Sequence, residues 1–598
     1  VEDSLILDKL VGYYDEYYDN TAETRRQAER DRDFYDSKQL TDQEYSNLTK
    51  RGQSPSVNNR IKPKVDSQLG IERKTRTDPK AFPRTREHEI DAEAATDALR
   101  YVMQNTDFDQ TRSHVYENIL IEGVGGCTVD VKAKGDSFEI EIDEIAWDRI
   151  FYDIHSRKRD FSDAKYRGIS IWMDEKDAID FLPGGKQIIE NALSSNEEIS
   201  DTNSDKPTNK WTDSNRKRVR INLIYYQEKR IWHYAFYTKG GLLSKPAKSP
   251  YIDEDGMPEC PIILQSAFID REGARYGSVR QLISIQEGIN KRESKAIHLF
   301  SVRQTFAEEG AVEDVQEMKR EMSKPDGHIT TRPGSEFGKH FGIIPTSDMG
   351  EAQFRMLRES KDDIDAVGAN PELSGESNAT SGRDFIARQE AGINEQGVLI
   401  DSLKSFGIRV YRQAWNRIRQ YWTEERWIRV TDNPDNIKWV GLNQPVTIED
   451  QLNEEFGELP PEYANDPRLS VQVGVRNDLA NLDVDIIIED TPDVTTIQQE
   501  QFDLVAKLSE AYPEKVPIKS LVALSSLRNK KEFMDEIQGD DEQKAALAEE
   551  QQQAKQIEQE TIIGEIENTA ADTEKKRAEA LKTMVDAQTP EQTNHVRQ

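Results

Sequence analysis

The chain has 598 residues with a formal net charge of −32, and 35% of it is hydrophobic against 32% charged. That length allows more than one buried core, and so much charge needs surface, which suits an elongated or oligomeric subunit better than one compact globule. No membrane helix or secretion signal is expected: the longest apolar runs, such as Ile486–Ile488, fall far short of the roughly 20 residues that span a bilayer, and the opening Val-Glu-Asp-Ser lacks a basic-then-apolar pattern.

Cys127 and Cys260 are the only cysteines. Neither has a second Cys or a His at metal-ligand spacing, so both are expected to be buried apolar residues in a reducing compartment, with no metal and no cofactor. Net acidity argues against a tight grip on nucleic acid, because such affinity comes from neutralising phosphates with Lys and Arg. It leaves weak, sliding contact open.

In chain order, residues 1–48 carry Tyr13, Tyr14, Tyr17 and Tyr18 at helical spacing and predict one or two helices laid over a larger body. From Lys50 to Arg86 there are eleven Lys or Arg against three acids, Asp66, Glu72 and Asp78, the one clear basic region. It is either a DNA- or partner-facing patch or a face paired with acidic neighbours. Helices are predicted at Ala92–Met103 and Ser113–Glu122, then glycines 123, 125 and 126 punctuate the entry into strands at Cys127–Val131 and Phe138–Ile142. A polar loop over Ser194–Arg218 precedes strands at Val219–Tyr226, Ile231–Tyr237 and Pro261–Gln265.

After Tyr276 the apolar period lengthens from two to about three and a half. Leu282, Ile285, Ile289, Ala296 and Leu299 fit one face of a helix reaching Arg303, with Lys291, Arg292 and Lys295 largely elsewhere. A small mixed module over 304–347 and a second helix at Glu351–Val367 complete a hairpin that projects the module from the body. The small-residue run Asn370–Gly382 reads as flexible. It opens into a long helix, Arg383–Arg426, with a core stripe of Ile408, Tyr411, Trp415, Ile418 and Trp422 and weak points at Gly392, Gly397 and Gly407. Strands are expected at Leu469–Val475 and Val484–Glu489, a helical layer at Thr495–Leu508 and Lys519–Ile537, then a tail without aromatics that needs packing to be helical. The fold class is α+β, mainly helical, with no internal repeat.

Catalytic patterns fail on spacing. Leu182-Pro-Gly-Gly-Lys-Gln187 lacks the Walker length and its terminal Ser or Thr, Gly123-Val-Gly-Gly126 leads into a strand, and no two of the eight histidines are four residues apart. One set survives: alternation places Asp483, Asp485 and Glu489 on one face of a strand, where carboxylates could hold metal ions for a nuclease. The competing reading is a solvent-facing edge ending at Thr491-Pro492.

The order helix, small module, helix, Ser/Gly loop, long helix, strands and helical C-terminus resembles the portal, or head-to-tail connector, proteins of short-tailed phages. Asn370–Gln389 resembles that family's tunnel loop running into its long helix, Val484–Asp493 the strand and turn closing its wing, and Asn58-Asn-Arg-Ile61 with the basic run after it part of the N-terminal region. The resemblance covers about 50 to 540. It implies a non-enzymatic ring, a dodecamer in family members, at a capsid vertex of a virion assembled in the host cytoplasm. Double-stranded DNA would pass through it, a separate terminase motor and then tail or adaptor proteins would dock on it, and the major capsid protein would surround it. By position, 1–275 and 383–494 would be the wing, 276–303 and 348–369 the stem, 304–347 the clip, 370–382 the tunnel loop and 495–545 the crown. Residues 546–598 would be a short barrel or disordered tail. Ser374, Glu376, Ser377, Asn378, Thr380 and Ser381 would face the axis, where short polar groups touch phosphates without gripping bases. Lys291, Arg292 and Lys295 would form a basic belt, facing DNA or pairing with the neighbouring subunit. The rival classes are the metal-dependent nuclease and another virion assembly or scaffold protein.

Overall fold

The computed structural model describes residues 2–488 except 75, 77–78, 85–90, 136, 195–211, 214–216, 302–304, 323, 325, 345–346, 368–396, 434–435, 457–468 and 483; beyond 488 it describes only 505 and 507. The chain divides into compact units at 1–491 and 492–598, and the description below concerns the first. The helical layer and tail expected beyond residue 495, and the loop expected at 370–382, lie outside the described residues.

The tyrosine spacing near the N-terminus forms one helix, Glu2–Asn20, seated on a sheet. Tyr14 and Tyr17 are buried and meet Phe151 and Tyr152 edge-on with centroids 5.2 Å apart, while Tyr13 stacks on Tyr166 at 4.5 Å. The Tyr237 hydroxyl donates to the Leu10 carbonyl (3.0 Å) and anchors the helix from beneath. That sheet has seven antiparallel strands, with Ala247–Lys248, Ile231–Thr238, Arg218–Glu228, Tyr166–Asp174 and Ile150–Tyr152 in spatial order. Thr212–Asp213, inside the segment read as loop, adds a short strand against Arg218–Val219.

A three-stranded antiparallel sheet has Val124–Lys134 at its centre, between Ile262–Ser266 and Ser137–Ile145. The glycines before it do more than turn the chain. Gly123 takes a left-handed φ of +89°, and a Cβ there would lie 2.3 Å from the Tyr276 backbone; one on Gly125 would lie 2.5 Å from the Val115 carbonyl. The bareness of Gly125 lets the helix Phe108–Ile121 lie directly on this sheet, and that of Gly123 admits the Tyr276 backbone.

The long helix is described over Gly397–Tyr421 and runs unbroken through Gly407. Tyr411, Trp415 and Ile418 are buried as expected, and so is Trp422 just past its end; Ile408 is only half-buried, and Phe406, Val410 and Ala414 complete the core stripe. The helix ends before Arg426, because the chain there switches to a period of two. Ile428 and Val430 face the core, Trp427 is exposed, and Arg426–Asn433 pairs with Asn436–Leu442 as a hairpin. Farther on, Gln472–Arg476 and Val484–Ile488 are strands close to where they were expected.

Buried arginines bind these layers. Arg417 donates to Glu259 (3.2 Å) and to the Ile252 carbonyl, and stacks on Tyr251. Arg409, held to about 10 by burial, donates to the carbonyls of Asp160 and Leu264 and to Gln265. Cys127 and Cys260 are free and buried, and burial pushes both thiols up.

Candidate functional site

The expected hairpin is present: Arg280–Ser301 and Ser347–Ala366 pack against each other. Between them, Thr305–Ala307 pairs with Phe341–Ile343, and the helix Val315–Met322 buries Met318 and Met322 against Val312 and Phe341. The module therefore has a small core of its own, separate from the body.

The first hairpin helix is fixed by a polar ladder that periodicity could not reveal. Gln286, Asn290 and Ser294, four residues apart and therefore on one face, are buried and point at the extended segment Ser56–Arg60. Their oxygens accept the backbone N–H groups of Arg60 (2.9 Å), Asn58 (3.2 Å) and Ser56 (3.0 Å), and Gln286 donates back to the Asn58 carbonyl at 2.6 Å. A helix rising 1.5 Å per residue places such side chains about 6 Å apart, close to two residues of extended chain. The helix thus completes the segment's hydrogen bonding as a neighbouring strand would. Asn59 faces the other way: its Oδ1 accepts from Ile61 and Lys62 at the start of the helix Ile61–Lys74, and its amide donates to Phe34 and Tyr35 carbonyls.

The second hairpin helix ends on Lys64, whose buried ammonium donates to the carbonyls of Asp365 (3.2 Å) and Val367 (2.9 Å). A cation against terminal carbonyls satisfies acceptors that the helix leaves open and complements its dipole. The chain then enters 368–396, so Ser374, Glu376, Ser377, Asn378, Thr380 and Ser381 lie outside the described residues.

Of the belt residues, Lys291 and Lys295 are exposed, four residues apart on one face, and Lys291 lies 3.4 Å from Glu287 of its own helix. Arg292 instead donates across the hairpin to the Met356 carbonyl at 3.1 Å.

At least five basic side chains of 50–86 are engaged inside the subunit. Besides Lys64, Arg60 approaches Asp365 at 3.8 Å, and Lys62 donates to Tyr35 and lies 3.9 Å from Asp66. Arg76 pairs with the fully buried Glu72 and with Asp109, and Arg84 with Glu254 and Asp485. Of the two readings of this stretch, pairing with acidic neighbours describes these side chains.

The same contact undercuts the metal-site reading. Val484–Ile488 pairs antiparallel with Pro79–Pro83, which brings Arg84 to Asp485: Arg84 Nε donates to Oδ1 at 2.7 Å and holds the carboxyl below its usual range. Asp483 and Glu489 lie outside the described residues, and among those described no group of three His, Cys, Asp or Glu could hold a metal. Nor does the Pro183–Gly185 turn offer a phosphate cradle, since Gly185 packs against Leu243. No helix among the described residues is long and apolar enough to cross a membrane.

Two comparisons bear on this arrangement. A sequence profile of phage P22-like portal proteins matches residues 11–583. The portal protein of Helicobacter pylori bacteriophage KHP30 is 22% identical over 419 residues, which cover 69% of this chain and 66% of that protein, just under two thirds of its length. With nearly its whole length matched, the chain belongs to the phage P22-like portal protein family, structural rather than enzymatic components of the capsid.

Proposed function

We propose that copies of this chain close into a ring, a dodecamer as implied for the family, at one vertex of a phage capsid. Double-stranded DNA passes through its centre during packaging, is retained there, and leaves by the same route on ejection. The observation that carries this reading is the helical hairpin with a self-contained module at its tip, set on a larger mixed body and followed directly by the Ser/Gly-rich segment. A heterologous contact repeated around an axis yields a ring rather than a filament when its rotation closes.

In this reading the hairpin helices are the stem, the module over 304–347 is the clip that receives tail or adaptor proteins, and the mixed layers are the wing, bounded by the major capsid protein. Residues 370–382 form the tunnel loop, 495–545 the crown, and 546–598 a short barrel or a disordered tail. ATP hydrolysis belongs to a terminase motor that docks during packaging. Ser374, Glu376, Ser377, Asn378, Thr380 and Ser381 present short polar groups to the duplex. The exposed Lys291 and Lys295 of the stem either meet phosphate or pair with the next subunit. The net charge of −32 keeps the wall from holding what it must let slide.

Negative-stain imaging of the purified chain tests the ring: annular particles with a central hole are expected, and mostly monomeric or filamentous material overturns it. Deleting Ser374–Ser381 is expected to leave rings intact while impairing packaging or retention of DNA. Failure of the rings to assemble would instead make that segment structural.

A further inference from the structure

The three-stranded sheet ends at Ser137–Ile145, an edge with which no further strand pairs among the described residues, although the side chains of Ile140 and Ile142 are buried. In the pairing of Val124–Lys134 with Ser137–Ile145, Ala133 lies opposite Phe138, Val131 opposite Ile140, and Val129 opposite Ile142. These are the pairs whose backbone groups point away from each other. On the inner strand, the Val129 N–H goes to the Pro261 carbonyl (3.1 Å) and the Val131 N–H to the Tyr251 hydroxyl (3.4 Å). On the outer strand, the Phe138 carbonyl accepts from Trp422 Nε1 (3.1 Å) and Arg426 Nη1 (3.2 Å). The N–H and C=O groups of Ile140 and Ile142 therefore face outward, and no partner for them occurs among the described residues. A cleft of about 540 Å³ lies along this edge. The acids Asp107, Glu139, Glu141 and Asp143 outnumber the bases Lys134 and Arg426 in its lining, and Tyr101 and Trp422 add ring surface.

The same chain carries a strand of matching character. Gln472–Arg476 belongs to a two-stranded ribbon with Gln444–Thr447 and is exposed along its whole length. Val471, Val473 and Val475 share one face by the period of two and are 53%, 52% and 42% exposed, a β-branched stripe that nothing among the described residues covers. The only charge on this strand is that of Arg476, opposite in sign to the excess in the cleft. Open edges of this kind are commonly blunted or covered in native proteins.

We propose that the strand Gln472–Arg476 of one copy adds to the edge Phe138–Glu144 of the next, forming a sheet continuous across the subunit boundary. The outward backbone groups of Ile140 and Ile142 gain partners, and the valines gain the cleft's aromatic cover. Donor and acceptor are different surfaces of the same chain, so the contact is head-to-tail and recurs at every boundary. This inference rests on the ring proposed above and names the surfaces that would hold two neighbours together.

Amide hydrogen exchange on the full chain, compared between the assembled ring and subunits dissociated by salt or dilution, tests it. Exchange over 138–144 and over 472–476 is expected to slow at least tenfold on assembly. In a second measurement, a Glu139→Cys, Val473→Cys double variant treated with a short bismaleimide is expected to give a ladder of covalent oligomers that neither single variant gives; Cys127 and Cys260, both buried, do not interfere. Rings that form with unchanged exchange at 138–144, or without the ladder, overturn the strand pairing and leave the ring intact. Slowing that appears only in the complete virion assigns the edge to another protein and also overturns it. If no ring forms, the portal assembly itself fails, a result distinguishable from both.

Discussion

Lys64 Nζ lies 2.9 Å from the Val367 carbonyl, joining the helix Ile61–Lys74 in the body to the last described residue ahead of the Ser/Gly-rich segment. The second bond to Asp365, and the approach of Arg60 to the Asp365 carboxylate, make this end of the hairpin a fixed point. Replacing Lys64 with Met keeps most of the buried stem but strands two carbonyls without their donor. A cost of about 1–3 kcal/mol follows from losing charge-assisted bonds at a helix C-terminus. Urea unfolding of Lys64→Met is expected to register that loss, with amide exchange accelerated first over 357–367; an unchanged midpoint would show that water replaces the ammonium without penalty.

The ladder on the first hairpin helix makes a related prediction with a different signature. Asn290→Ala removes the acceptor of the Asn58 N–H and also the donor to Gln39 at 2.7 Å, leaving buried polar groups unpaired. About 2 kcal/mol is the expected cost, and about 1–3 kcal/mol for Gln286→Ala. Because Gln286 Nε2 also donates to Asn290 Oδ1 at 3.0 Å, the double variant should lose less than the sum. Strict additivity in denaturant unfolding would mean that the two rungs act independently.

Much of this was legible in the sequence, and the parts that were not share a physical cause. The change of apolar period after Tyr276 announced the helix that carries Leu282, Ile283 and Ile289 into the core, and Tyr13–Tyr18 announced a helix lying on something larger. Both are local patterns of side chains. The ladder was hidden because Gln286, Asn290 and Ser294 act on backbone groups more than 200 residues away, and backbone leaves no mark in composition. The hairpin that pairs Arg426–Asn433 with Asn436–Leu442 follows the helix expected to end at Arg426 and was not expected; alternate burial of Ile428 and Val430 marks it only in the fold. The loop at 370–382 and the crown remain inferences from family position.

Arg84 and Asp485 came from two stretches that seemed to promise different chemistry, one basic and one acidic, and the pairing of Pro79–Pro83 with Val484–Ile488 makes them partners. Both side chains are about half exposed, so the pair is worth little in stability. A double-mutant cycle of Arg84→Ala and Asp485→Ala is expected to yield a coupling of about 0.2–1 kcal/mol that shrinks as salt is raised. The purified chain is expected to leave DNA uncut in magnesium or manganese. Cleavage that Asp485→Ala abolishes would restore the nuclease reading.

Asp31 supplies the pH-dependent case. It is fully buried on the helix Ala22–Tyr35, and burial raises its carboxyl to about 6, an effect that outweighs the attraction of Arg280 at 3.4 Å. In the unfolded chain the group ionises near 3.8. Between those values the folded state holds the proton that the unfolded state has released, so stability falls as pH rises and the contribution is gone above the folded pKa. From pH 5.2 to 7.5, a range above the isoelectric point of about 4.8, this one group should remove about 1 kcal/mol. Asp31→Asn carries no such proton, so its stability relative to the parent should improve by that amount across the same range. The measurement is a pair of denaturant titrations at the two pH values. Parallel behaviour of the two proteins would mean that Arg280 keeps Asp31 ionised throughout, and that the ion pair, rather than burial, sets its charge.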